Sequence, residues 1–183
     1  GHSLTQRPQS VKSVSQTIVV AMVLWPFRLL FIGPELDDEL AFVHHFHHHP
    51  LNVRLHQVSV FFIFAALQVA LLPLPGHPNL IFAVAYLLFY FSLHVPTALV
   101  WLLAFTLQYA LALVVHHLFS SSDLAMLWFG SGLVAAVGFT AQIIGHRVFE
   151  GKFPAFRLFE AFVTTPFFLA LSVLFELGLY PEW

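Results

Sequence analysis

Between Arg54 and Asp123 the chain carries no Asp, Glu, Lys or Arg, an uncharged run of 68 residues. A hydrocarbon core about 30 Å thick takes roughly 20 helical residues, so this run is long enough to cross a bilayer more than once. The rest of the composition agrees. Of 183 residues 59% are apolar and 9% charged, against about 25% charged in a water-soluble domain. Lipid has to cover most of such a surface. A net charge of −2 with seven Lys and Arg excludes nucleic acid as a partner, because that grip needs a basic stripe. The absence of cysteine excludes disulfides, thiolate nucleophiles and iron–sulfur clusters.

Proline, glycine and short polar runs divide the chain. Pro73-Leu74-Pro75-Gly76-His77-Pro78 is a turn, and His94-Val95-Pro96-Thr97 is a second break with Thr97 as a helix N-cap. These breaks predict helices near 56–72, 79–94 and 97–118, the first two short for a full span. Ser120-Ser121-Ser122-Asp123 caps a long helix over about 124–149. Gly130, Gly132, Ala135, Ala136 and Gly138 give that helix a small-residue face for close packing. A last helix spans about 157–177, bent at Pro166. Acidic residues Glu35 to Glu39 open a further helix at its positive end. Residues 1–34 form an N-terminal extension, a loose polar tail followed by an apolar stretch over 15–33. That stretch either spans or lies in the interface with Trp25 and Arg28 at headgroup depth, the latter being preferred. The expected fold is all-α, an integral membrane bundle of about five to six hydrophobic helices, with residues 35–183 as the membrane-embedded domain.

Six of the twelve histidines, His44, His45, His47, His48, His49 and His56, fall within 13 residues just before the uncharged run. Counting crossings gathers this cluster, His94 and His146 at one membrane face and sends His116 and His117 to the other. Pro50 ends a helix at His49, so His47 and His56 sit on adjacent helices that meet at a corner. His146 and Glu150 are four apart and share a helical face. A single histidine beside a membrane interface is ordinarily a hydrogen-bonding anchor. Three or more meeting at one site point to metal, since neutral imidazole suits iron, zinc, copper or nickel. Ionisable groups at membrane depth are costly and usually functional. His2, in a loose tail, and His77, in a turn, carry no such reading.

Two stretches resemble a known family. Phe46-His47-His48-His49-Pro50-Leu51-Asn52-Val53-Arg54-Leu55-His56 is similar to the H-x-x-P-x-N-x-x-x-H signature of the 2-hydroxy fatty acid dioxygenases of fungal alpha-oxidation. Gln142 to Ala155 is similar to that family's second signature, Q-x-x-G-H-x-x-F-E-x-x-x-P-A. Pro166, Phe168 and Glu176 fit its last helix, and the likeness covers about residues 35–178. The chain departs from the pattern where the family has tyrosines before the first His, holding Phe42, Val43 and Phe46 there. Phe139 occupies the region where the family commonly has Trp.

The resemblance implies a small membrane enzyme, typically of the endoplasmic reticulum, that uses Fe(II) and O₂ to shorten a 2-hydroxy fatty acid by one carbon. Carried over, it assigns His47, Asn52, His56 and His146 to the catalytic site. His47, His56 and His146 are the expected metal ligands, with His94 or His44 as a fourth. Asn52, Gln142 and Glu150 stand behind the ligands, and Arg54, Arg147 or Lys152 would hold the acid group at the interface. Expected partners are the lipid bilayer, the 2-hydroxy fatty acid, O₂ and, for a larger assembly, other membrane subunits. A different class is a non-catalytic subunit that keeps this fold. A third is a bis-histidine haem protein using His94 and His146.

Overall fold

The computed structural model describes residues 36–119, 123–154 and 160–179. The N-terminal extension 1–34, the turn at 120–122 and the expected start of the last helix at 157–159 lie outside the described residues. Within them every element is helical and none is a strand. The order is α1 (Leu36–Phe46), α2 (Pro50–Leu71), α3 (Pro78–Leu93), α4 (Val95–Leu118), α5 (Leu124–Gly145) and α6 (Thr165–Glu176). A π-helical turn, His146–Glu150, extends α5, and a second, Glu160–Thr164, leads into α6. Among the described residues three helices are long and apolar enough to cross a membrane: Pro50–Leu71, Val95–Leu118 and Leu124–Glu150. The chain is an all-α integral membrane bundle.

Local sequence explains most boundaries. Asp37, Asp38 and Glu39 sit in the first turn of α1 and His44 and His45 in its last, each complementing the helix dipole. Pro50 opens α2, and His49 caps it by accepting from the Leu51 N–H through its ring at 3.3 Å. The helix thus starts two residues before Asn52, where Pro50 led a second helix to be expected, and six before the coarser bound of 56. With six more residues α2 reaches 22 and is a full span, while α3, at 16 residues, stays short. Thr97 does not cap α4. His94 takes that position with extended backbone, because Pro96 suits the first helical turn, where its missing N–H costs nothing. Thr97 pairs instead with His94 Nδ1 at 2.8 Å. Pro166 lies in the first turn of α6, where the π-helical turn Glu160–Thr164 gives way to α-helix. At α5 the Asp123 carboxylate accepts from the Ala125 N–H at 3.2 Å, as a helix-capping residue should.

α2 is the central helix, packed against α5 on one side and α4 on another. Gly138 of α5 faces Ile63, where an added Cβ would come 2.7 Å from Ile63 Cγ1. The small-residue face is thus used at Gly138, whereas Gly130 and Gly132 meet open space. On the other side of α2, Phe64 packs its ring with Phe82 and Tyr86 of α3 and Trp101 and Phe105 of α4.

Aromatic and imidazole donors from neighbouring helices close backbone carbonyls at helix ends. Pro73 has no N–H to give the Val69 carbonyl, and His116 Nε2 donates there at 2.9 Å. The Leu74 N–H turns to Leu71, leaving the Ala70 carbonyl to Trp128 Nε1 at 3.0 Å. Near α6, Tyr90 donates its hydroxyl to the Val163 carbonyl at 2.6 Å and Trp101 its indole N–H to Pro166 at 3.0 Å. These bonds hold α6 in register against the core, with Phe168 beside His47.

Candidate metal centre

Three helix ends meet at one end of the bundle. His47 follows α1, His56 lies two turns into α2, and His146 stands where α5 becomes a π-helical turn. Their exposures are 6%, 2% and 2%, so all three imidazoles are withdrawn from the surroundings. Their ring centroids form a near-equilateral triangle: His47–His56 at 4.5 Å, His47–His146 at 4.7 Å and His56–His146 at 4.7 Å. One nitrogen from each ring lies within 4.8 Å of the others, the spacing of a set that could hold a metal ion.

The second nitrogens are fixed by the backbone. His47 Nδ1 donates to the Val43 carbonyl at 2.8 Å and His56 Nδ1 to the Asn52 carbonyl at 2.9 Å, each one helical turn back. Both bonds leave Nε2 as the nitrogen turned toward the group. A metal-binding histidine is oriented in this way, its other N–H given to a carbonyl so that the tautomer is set. His47 Nε2 and His146 Nδ1 are buried with no hydrogen-bond partner. Burial pushes the His47 imidazole down to about 4, against the Val43 carbonyl, which favours the charged ring. His47 is therefore a neutral imidazole at physiological pH. Orphaned buried imidazole nitrogens facing one another fit a divalent ion better than they fit one another.

Asn52 and Glu150 brace this arrangement from behind. Asn52 Nδ2 donates to Glu150 Oε1 at 3.1 Å and to the Phe46 carbonyl at 3.2 Å. The His49 N–H also donates to Glu150 Oε1, at 2.9 Å, and His48 Nδ1 pairs with Glu150 Oε2. One buried carboxylate thus gathers the loop between α1 and α2 onto the π-helical turn. Gln142 reaches the same centre through Ser59: its Nε2 donates to Ser59 Oγ at 3.1 Å, and Ser59 donates to the His56 carbonyl at 3.3 Å. The sequence reading places His48 and His49 in the histidine run without a role as partners of Glu150, and it does not mark Ser59. Pro50 was the available signal for His49, since a cap residue before a helical proline turns its N–H outward.

The other expected residues lie outside the group. His44 is exposed and sets its ring 6.0 Å from Phe168. His94 pairs with Thr97, and His146 joins His47 and His56. Arg54 and Arg147 are exposed, Arg147 with its guanidinium 5.3 Å from the Phe153 ring centre. Lys152 Nζ donates to His45 Nε2 at 2.9 Å and lies 5.9 Å from the Phe46 ring centre. This cation is next to the loop that carries His47.

The chain is 29% identical over 157 residues to the 2-hydroxy-palmitic acid dioxygenase MPO1 of Saccharomyces cerevisiae, across 81% of this chain and 84% of the yeast protein. That similarity supports, at family level, the resemblance read from the two signatures. No family profile matches the chain. No solved structure matches it.

Proposed function

We propose that this chain is an Fe(II)-dependent dioxygenase that shortens 2-hydroxy fatty acids by one carbon with O₂. The observation that carries this reading is the trio of buried histidines with two partnerless nitrogens, in a chain similar to a 2-hydroxy-palmitic acid dioxygenase. His47, His56 and His146 would hold the ion. Three protein ligands leave positions open on a six-coordinate metal, and imidazole without thiolate suits iron. When bound, Fe(II) supplies a centre at which O₂ and the hydroxyl and carboxylate of the substrate can be brought together.

The protein's own residues do the rest. The Val43 and Asn52 carbonyls keep His47 and His56 in the tautomer that offers Nε2. Asn52 and Glu150 hold α2 and the π-helical turn at one separation, so that the three rings keep their triangle. Lys152 and Arg147, near the rim of the same end, are suited to draw the acid group to the interface, while the alkyl chain lies among apolar side chains facing lipid. The endoplasmic reticulum is the membrane we assign.

The test is metal content of the purified full chain beside a His56→Ala/His146→Ala double variant, followed by assay with 2-hydroxy acids and O₂. Near-stoichiometric iron in the parent, lost in the variant, with product one carbon shorter is the expected result. No metal after anaerobic reconstitution with Fe(II) would overturn the proposal and favour a membrane scaffold.

A further inference from the structure

Contacts at the helix ends sort the chain's connections between two faces of the bundle. One face holds the histidine trio, the Asn52–Glu150 bond at 3.1 Å, and the bonds from Tyr90 to Val163 and from Trp101 to Pro166. The loop before α2, the junction of α3 with α4 and the turn after α5 therefore lie there. At the other face His116 reaches the Val69 carbonyl at 2.9 Å and Trp128 the Ala70 carbonyl at 3.0 Å. Residues 72–77, between α2 and α3, and 119–123, between α4 and α5, connect helices at that far face.

Basic residues divide unevenly between the two. Arg54, Arg147 and Lys152 are the Lys and Arg among the described residues, and all three stand at the histidine face. Arg54 is exposed, two residues past Asn52. Arg147 directly follows His146, and the Lys152 N–H donates to the His146 carbonyl at 3.3 Å. Among the described residues no carboxylate forms an ion pair with any of them, so their charges are free to meet headgroups. The far connections 72–77 and 119–123 hold no Lys or Arg.

A part in drawing an acid substrate accounts for cations beside the site but not for their absence from the far turns. Sidedness accounts for both. Short cytoplasmic connections of membrane proteins carry an excess of Lys and Arg, and Asp and Glu weigh little in that bias. The acids of α1 therefore do not cancel it. Nor do the cations ahead of α1 reverse it. A span over 15–33 would set only Arg7 and Lys12 against Arg28 and the three described cations.

We infer that the histidine face of the bundle is cytoplasmic. Metal for the trio is then drawn from the cytoplasm, and an acid-headed lipid meets Arg147 and Lys152 in the cytoplasmic leaflet. The orientation stands independently of the reaction proposed above, and only the lipid's identity rests on that reading.

The chain has no cysteine, so a single substitution introduces one thiol for labelling. His45→Cys at the histidine face and Pro75→Cys in the far turn, both exposed positions, are expressed separately as full chains. Sealed membrane vesicles with the cytoplasmic face outward receive a membrane-impermeant maleimide before and after permeabilisation. His45→Cys should label equally in both conditions, and Pro75→Cys at least fivefold less before permeabilisation than after. The reverse pattern overturns the inference, and so does equal labelling of both sites in intact vesicles, which would mean two orientations. Phe153→Cys and His117→Cys, also exposed, repeat the reading should either chain fail to insert. Neither metal content nor activity enters the measurement, so failure of the dioxygenase reading would leave its outcome unchanged.

Discussion

Asn52 donates its side-chain N–H to Glu150 across 98 positions of sequence, at 3.1 Å, and its backbone carbonyl accepts from His56 Nδ1. One residue therefore fixes the tautomer of one histidine and the placement of the turn that carries another. Removing a partner of this kind typically costs 10–100-fold in metal affinity. Asn52→Ala should weaken metal binding at the histidine trio by about that factor while its backbone bond to His56 survives. Asn52→Asp should be worse, since it sets a second carboxylate against Glu150. Competition with a chelator of known affinity reads both, and an Asn52→Ala protein that holds metal like the parent would count against the bracing role.

Gly145 is where α5 comes closest to that brace. A Cβ there would lie 2.5 Å from Asn52 Oδ1 and 2.9 Å from Leu55 Cδ2. Asn52 is buried and already committed at Nδ2, so it has little room to give way. Gly145→Ala should push the helices apart at the level of the histidines, at a cost of about 1–3 kcal/mol, as overpacking usually has. A lower thermal midpoint in detergent, together with loss of metal, is the expected pair of results. Gly132→Ala, at a position with nothing within 4 Å, is the comparison and should leave both unchanged.

Much of this architecture was legible because it rests on features that act locally. The uncharged run, Pro50, Pro78, Pro96 and Asp123 mark spans and starts through desolvation, missing N–H groups and capping, none of which needs a distant partner. The convergence of His47, His56 and His146 followed from counting crossings. What was not legible depends on pairs far apart in sequence. That Glu150 would be met by His48, His49 and Asn52 is decided by how α5 docks on α2. The π-helical turns show no local signature, and Thr97 lost the capping position because Pro96 claimed the first helical turn. His116, sent by the crossing count to the far membrane face with no role there, closes a carbonyl 47 residues away.

That last bond supports a reciprocal test. Val69 lacks its helical partner because residue 73 is proline, so His116→Ala should leave a part-buried carbonyl unsatisfied and destabilise by about 1–3 kcal/mol. Pro73→Ala restores an N–H at the position that would serve the Val69 carbonyl. In that background His116→Ala should cost markedly less. A double-mutant cycle on unfolding in detergent reads the coupling. Additive effects would mean that His116 acts through packing alone.

The acid sensitivity of the metal-free protein should report on His47. Its imidazole titrates at about 4 when folded, against 6.5 for the ordinary ring, because protonation would put a charge into a buried site. Between those values the unfolded chain binds the proton and the folded chain does not, so stability rises with pH across this window. The contribution is fully present above about 6.5 and is lost as pH falls toward 4. A shift of this size corresponds to a loss on the order of 3 kcal/mol. Carboxylates that titrate in the lower part of the same window add their own slope, so the informative quantity is a difference. His47→Gln keeps a polar side chain of similar size but cannot titrate. Subtracting its stability profile from that of the parent should leave a curve that climbs from pH 4 to 6.5 and is flat above. A difference that stays flat throughout would mean that His47 is accessible to protons in the folded state.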